Sequence, residues 1–382
     1  MPDYSNLPQE LLVEIFLRLP IEDVVKSTAV CKSWNSVIKN PAFISTHLEK
    51  TISSTNTHLL FRVCPEGVID PEHYSLRFDN EDVDEYKQLH FPSNKIGSFT
   101  GCFRVAGSIN GLVCLVDDMR SYVHNFIIWN PIIKKSVRVP SPSVTFTSHG
   151  AFDAFIGFGF DSKTNDYKLL RFVELHDDEA EVEVEVEIYS LNANCWRSIT
   201  HIAPKYGIIL KHPKTYGNSF VNGAIHMLAC DRKGDRDRNI ILAFDVSEEV
   251  FREIPLPNCL SNDPMIELLK LLKYGQSIAA CNWNGNEGVK QIEVWVMKEY
   301  GVAMSWTKVL TEVAKRVRRV LFFRKNEEIL VATEDGSIAS LDTKGQHSKF
   351  FGVCSSVESL TGYPVVDSFV ESLVLLDKSN VL

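Results

Sequence analysis

Nine cysteines and eleven histidines are the side chains of this 382-residue chain best suited to metal or nucleophilic chemistry, and their spacing organises neither. Zinc sites draw on closely spaced pairs such as CxxC or HExxH, and no such pair occurs; His201 and His212 lack ligand spacing. The cysteines (Cys31, Cys64, Cys102, Cys114, Cys195, Cys230, Cys259, Cys281, Cys354) are odd in number and scattered, mostly in apolar runs such as GLVCLV. That usage predicts buried, reduced thiols in a reducing compartment. GxxxxGK[ST] and GxSxG are both missing, so phosphate-loop and serine-hydrolase chemistry lack their strongest signals. GFGF, Gly157 to Phe160, holds two glycines of a GxGxxG but leads into Asp-Ser-Lys-Thr-Asn, which predicts a tight strand before a hairpin. No catalytic residue, cofactor or metal is expected.

Charged and aromatic stretches offer binding instead. EAEVEVEVEIY, residues 179 to 189, alternates strictly, with Val182, Val184, Val186 and Ile188 on one face and Glu181, Glu183, Glu185 and Glu187 on the other. It reads as a half-buried strand with a solvated acidic face, or as an acidic stripe for a basic substrate. RVRRVLFFRK, Arg316 to Lys325, forms a basic surface or flanks a buried strand; DRKGDRDR reads as a mixed-charge loop. Trp283, in CNWNGNEG, is either an exposed recognition residue on a loop or part of the core.

The elements that position these groups change character near residue 50. LPQELLVEIFLRLP, residues 7 to 20, reads as a helix with Pro8 in its first turn and Pro20 as its stop. IEDVVKSTAV starts a second helix with Glu22 and Asp23 where the helix dipole favours acids, and CKSWNSVIK forms a third. AFISTHLEK adds one more short helical stretch. On the first helix Leu11, Leu12, Ile15, Phe16 and Leu19 sweep roughly 140° at about 100° per residue, with Val13 beyond. A module of some fifty residues has a marginal core and cannot hide both arcs together with Val24, Val30 and Trp34. Either the rest of the chain covers the surplus or a second protein does.

After about residue 55 the pattern is of short β-rich runs broken by Gly, Asn, Asp and Pro. A hairpin-like unit recurs, as in FIIWNPIIKKSVRVP and ILAFDVSEEVFREIPLP. Its anchors Phe78, Trp129, Tyr189, Phe244, Trp295 and Leu341 are spaced by 51, 60, 55, 51 and 46 residues. Periods near 50 fit one four-stranded propeller blade each, so six blades are expected. A second strand type, as in GSINGLVCLV and SFVNGAIHML, precedes several copies. SFVESLVLLD, Ser368 to Asp377, is one with no hairpin after it, while the first hairpin has none clearly before it. A ring in which this C-terminal strand completes the first blade resolves both defects and removes open sheet edges.

The formal charge of -9 argues against a general nucleic-acid binder or charge-driven membrane binding. No run approaches the roughly 20 apolar residues that span a bilayer, and Met1 to Glu10 lacks a signal-peptide pattern, so a cytoplasmic or nuclear location is expected.

LPQELLVEIFLRLPIEDVVKSTAVCKSWNSVIKNPAF closely resembles an F-box: Leu7-Pro8, Ile15, Leu19-Pro20, Val30-Cys31, Trp34 and Pro41-x-Phe43 fall in order. NGLVCL, IIWNPIIKK and GFGFDSKTNDYKLL resemble the kelch-like F-box-associated region of plant F-box proteins, without the glycine doublets of ordinary kelch repeats. The resemblance implies a mainly β fold: a three-helix F-box over residues 1–50, then a six-bladed kelch-like propeller over 51–382. It implies a substrate-recognition adaptor that joins a cullin-RING ubiquitin ligase through a Skp-type protein and holds an unknown protein substrate. Carried over by motif, Leu7, Pro8, Leu11, Ile15, Leu19, Val30, Cys31 and Trp34 would form or support the adaptor interface. Trp34 and Ile15 are expected to make the deep contacts, and Cys31 to be a small buried hydrophobe. The rivals are a scaffold that binds the Skp-type adaptor outside any ligase and a propeller enzyme that carries an F-box.

Overall fold

The computed structural model describes residues 7–54, 57–64, 72–91, 103–117, 122, 125–176, 182–209, 219–232, 237–263, 269–286, 289–313, 317–342, 348–354 and 364–378. Four helices come first: α1 (Gln9–Phe16), α2 (Ile21–Ser27), α3 (Lys32–Ile38) and α4 (Pro41–Ser53). The sequence predicts three helices plus a short fourth stretch ending by residue 50. Instead α4, at 13 residues, is the longest and runs past that boundary. Asn40 explains its strong start, since its side chain accepts from Ala42 N while Pro41 fills a position that needs no N–H donor. Pro20, expected to stop α1, instead opens α2: its carbonyl accepts from Asp23 N and Val24 N.

The β region is a six-bladed propeller. Blade 1 starts with β1 (His58–Val63), β2 (His73–Phe78) and β3 (Glu85–Leu89). Blade 2 is β4 (Arg104–Ile109), β5 (Leu112–Asp117), β6 (Asn125–Asn130) and β7 (Lys135–Arg138). A short helix, α5 (Phe146–His149), leads to blade 3: β8 (Phe152–Asp161), β9 (Asp166–Leu175), β10 (Glu183–Ser190) and β11 (Cys195–Ser198). In blade 4 two short strands, β12 (Gly207–Ile208) and β13 (Phe220–Val221), both pair with β14 (Ala224–Asp231), followed by β15 (Arg238–Asp245) and β16 (Val250–Pro255). After α6 (Asn258–Ser261), blade 5 is β17 (Lys270–Tyr274), β18 (Ser277–Asn286), β19 (Val289–Met297) and β20 (Trp306–Val313). Blade 6 is β21 (Val317–Phe323), β22 (Ile329–Thr333), β23 (Ser337–Leu341) and β24 (Ser348–Cys354). All six hairpin anchors lie on third strands, β2, β6, β10, β15, β19 and β23. A fixed place in a repeated sheet demands a fixed residue type, and the repeat is visible for that reason.

The last strand, β25 (Val365–Phe369), adds antiparallel to β1, His58 opposite Phe369 and Arg62 opposite Val365, as the innermost strand of blade 1. C-terminal closure is as expected, but the strand sits earlier than Ser368–Asp377. Only two residues of that stretch are β; the rest straps blade 2. Asn130 Nδ2 donates to the carbonyls of Ser372 (2.9 Å) and Val374 (2.8 Å), and Lys135 Nζ donates to Leu376 O (3.1 Å). The strap passes over the Asn110-Gly111 turn so closely that a Cβ on Gly111 would lie 2.3 Å from Ser372 Oγ. Gly111 also has φ +81°, so the turn needs glycine twice over. On the other flank of blade 1, Arg324 Nε donates to Asp79 Oδ1 at 2.8 Å, joining blade 6 to blade 1.

GFGF is a strand before a hairpin, as expected. A Cβ on Gly157 would lie 2.3 Å from Ile225 Cγ2 of blade 4, so the glycine lets neighbouring blades approach. RVRRVLFFRK is largely β21, with Arg318 exposed on Glu334 and Arg324 buried; it flanks a buried strand more than it forms a basic surface. DRKGDRDR joins β14 to β15, with residues 233–236 outside the described set. Trp283 lies in β18, half-buried against the blade 5–6 core, which corrects the exposed-loop reading. Four described cysteines are buried, but Cys31, Cys195 and Cys259 are exposed, so burial of all thiols is not what the fold provides.

Lys270, on the inner wall, is buried and donates to Val320 O of blade 6 at 3.1 Å. Burial, with Arg319 nearby, lowers its pKa to about 7. Between about pH 7 and its ordinary value near 10.5 the unfolded chain binds the extra proton. Its stability contribution is therefore complete above that range and is lost as pH falls to 7. Two outcomes are expected. Deleting residues 365–382 should lower the melting temperature of the whole β domain, measured by circular dichroism. Replacing Lys270 by Met should raise stability most at or below pH 7, with the difference from wild type shrinking as pH rises towards 10.

Candidate functional site

One hydrophobic cluster runs from the helices into the propeller. It joins Leu12, Phe16, Ile21, Val24, Val37, Ile38, Phe43 and Ile44 to Leu60, Leu76, Trp129 and Ile132 of blades 1 and 2, and to Phe369, Leu373 and Leu376 of the C-terminal segment. Polar ties reinforce it. Glu22 of α2 pairs with Lys87 of β3, and Asn165 Nδ2 of blade 3 donates to Ser45 Oγ of α4 at 3.4 Å. The helices thus sit on the propeller face that carries the turns joining first to second and third to fourth strands. The propeller covers half of the apolar surplus.

The other half stays in water. Leu11 is 51% exposed, Ile15 46% and Val30 62%, whereas the adjacent Leu12 and Phe16 are buried. The division follows from helix geometry: Leu11 and Ile15 are four apart on one flank of α1, and Leu12 and Phe16 are four apart on the next. Trp34 lies at the border, half-buried, its ring edge-on to Phe16 with centroids 5.1 Å apart. Leu7 and Leu19 are also half-buried against the cluster. Pro8 is exposed and caps α1, its carbonyl accepting from Leu11 N and Leu12 N. The exposed charges Glu10, Glu14, Arg18 and Lys32 accompany the patch.

Cys31 departs from expectation. It is exposed, and it caps α3 by accepting from Trp34 N at 3.5 Å through Sγ. A cap must stand outside the helix with its side chain turned back, so this position is drawn to the surface. Cys31 therefore orients Trp34 and is no part of the module's core.

A feature not read from sequence lies on the same propeller face. A cavity of about 790 Å³ opens at the central channel, lined by turn residues of five blades, among them Asn110, Asn222, Tyr274, Phe323 and Ser368, and by Ile52 of α4. Its lining comes from residues up to some 300 positions apart, so no local pattern announces it.

The acidic face of β10 is not the solvated stripe expected. Glu183 is exposed, but Glu185 accepts from Thr200 Oγ1 at 2.6 Å and Glu187 is buried on Arg171 at 2.7 Å. Glu181 lies outside the described residues. Among the described residues no group of three or more His, Cys, Asp or Glu is placed to hold a metal ion.

Fold and patch define a β-propeller protein with an N-terminal helical module that leaves an apolar flank exposed. The chain belongs to the plant F-box proteins with an F-box associated propeller: the F-box associated beta propeller domain matches residues 68–376 and the F-box-like domain residues 4–48. The F-box/kelch-repeat protein At3g23880 of Arabidopsis thaliana is 30% identical over 80% of this chain and 79% of its own length. The F-box protein CPR1 of the same plant is 25% identical over 96% and 89%. Among solved structures, TolB from Acinetobacter baumannii superposes with a TM-score of 0.44 at 9% identity, over 86% of this chain and 72% of that one.

The two flanks of α1 should respond oppositely to substitution. Phe16→Ala is expected to destabilise the protein by about 3–5 kcal/mol, and Ile15→Asp to leave the melting temperature within about 2 °C of wild type, a surface effect of about 0.5 kcal/mol or less. Thermal denaturation of the full chain measures both.

Proposed function

We propose that this chain is the substrate-recognition subunit of a Skp-cullin-F-box ubiquitin ligase. Leu11, Ile15 and Val30, left in water on a module whose opposite side is locked to the propeller, carry the reading. Covering them with a Skp-type adaptor would remove exposed large apolar side chains of the helical module from solvent, and central apolar groups dominate interface energies. Trp34, held edge-on to Phe16 and capped through Cys31, supplies a rigid aromatic border. The propeller then holds a protein substrate. Ubiquitin transfer belongs to other subunits, and this chain acts without chemistry of its own by raising the local concentration of substrate at their catalytic centre. Degradation by the proteasome would follow, in the cytoplasm or nucleus.

Affinity purification of the tagged full chain tests this reading. Adaptor and cullin should copurify with wild type, and Ile15→Asp with Val30→Asp should reduce adaptor recovery at least tenfold, equivalent to about 1.4 kcal/mol. Unchanged recovery by the doubly substituted, folded protein would overturn the interface. Adaptor recovered without cullin would favour the scaffold reading.

A further inference from the structure

The channel cavity has the size and the wall of a small-molecule site. Its volume of about 790 Å³ falls within the roughly 300–1,000 Å³ of such sites, and apolar side chains, among them Ile109, Val221 and Phe322, make most of the lining. That wall is tied together across the blades. Arg324 Nε donates to Asp79 Oδ1 at 2.8 Å between blades 6 and 1, and Asn222 Nδ2 donates to Gln276 O at 2.8 Å between blades 4 and 5. All four residues line the cavity. A wall held in this way loses little freedom when a ligand enters.

Charge in the lining is one-sided. Asp79 is spent on Arg324, which is buried and also meets Glu328 at 2.6 Å. Lys273 and Lys325 line the cavity as well, and neither has an ion-pair partner among the described residues. Lys273 is half-buried and Lys325 exposed, so both can reach water or a ligand. Lys298 adds a third cation, 5.7 Å from the ring centroid of Tyr274, another lining residue. Against these stands one lining carboxylate outside any ion pair among the described residues, Glu327. On a chain of formal charge -9 this local surplus of cations is an exception, and it selects for an anion. Ile52 of α4 and Ser368 to Val370 of the C-terminal segment wall other sides, which favours a small ligand over a folded partner.

We propose that the channel cavity binds a small amphipathic organic anion, its apolar body against Ile109, Val221 and Phe322 and its charged head met by Lys273 and Lys325. Such a ligand would touch the helical module, the closing segment and four further blades at once.

The test uses the full chain and two fluorescent probes that share one ring system, 8-anilinonaphthalene-1-sulfonate and its uncharged counterpart N-phenyl-1-naphthylamine. Saturable binding of both is expected. Lys273→Met with Lys325→Met keeps the apolar stems and removes the charges. It should weaken the sulfonate about fivefold, as the loss of two partly exposed charge contacts would, and leave the uncharged probe within about twofold of wild type. Ile52→Trp, at an exposed helix position on the rim, should weaken both probes by obstructing the mouth. Ile15→Asp, on the flank of α1, should change neither, so loss of adaptor recovery and loss of this site are separate outcomes. No saturable binding, sulfonate binding that survives the lysine substitutions or Ile52→Trp, or equal weakening of both probes by the lysine substitutions would overturn the proposal. So would loss of binding in Ile15→Asp, which would place the probes on the helical flank. Displacement of the sulfonate by a Gly-Glu-Gly-Glu-Gly-Glu-Gly peptide would assign the cavity to an acidic protein segment and overturn it too.

Discussion

The pairing of β25 with β1 joins residues some 300 positions apart, and every blade depends on it. A twisted four-stranded sheet buries its faces only between two neighbours, so an open row of six would leave blades 1 and 6 each with an apolar face in water. Adding the last strand to the first blade makes the chain's two ends a single sheet. Asp367 then accepts from Ser108 N of blade 2, and Arg324 of blade 6 reaches Asp79 of blade 1, so contacts on both flanks follow from one hydrogen-bonded ladder. The buried Arg324 also meets Glu328, which leaves its charge compensated on both sides.

The same closure fixes the helices. Their core is completed by Leu373 and Leu376, so the N-terminal module is anchored by the C-terminal strap as well as by blades 1 and 2. With a shared core in place of a flexible linker, the exposed flank of α1 holds a constant orientation relative to the far propeller face. Under the proposed ligase reading such rigidity would matter, because an effective concentration is high only when the geometry is held. The direction of the apolar surplus is therefore set by the propeller, which claims Leu12 and Phe16 and leaves Leu11 and Ile15.

Much of this was legible in the sequence, for reasons that differ by element. Blade number and anchor positions were readable because a third strand imposes the same demand six times, whereas GSINGLVCLV, read as one strand, is two that turn at Asn110-Gly111, where both centres take positive φ. The exposed flank of α1 was readable as an excess of apolar groups over the area a small module can cover. Position along a strand was less so: the C-terminal stretch looked uniformly β, yet strapping to Asn130 and Lys135 claims most of it. Alternation in β10 showed which face each glutamate takes but not that Arg171 would bury Glu187 there. Cys31 was misplaced because its hydrophobicity pointed inward, whereas its position at a helix start pointed out. The channel cavity unites distant segments, and one-dimensional patterns do not report such meetings.

Chain order gives the shared core a temporal meaning. The helices leave the ribosome first, yet the side chains that finish their packing, Leu373 and Leu376, are made some 320 residues later. Until then the nascent module displays both flanks of α1, the one that the propeller will cover and the one that stays exposed. Synthesis of β25, ring closure and completion of the helical core thus converge on one event. A chain interrupted before β25 would lack a closed propeller and a finished helical module together, a built-in check that favours assembly from whole molecules.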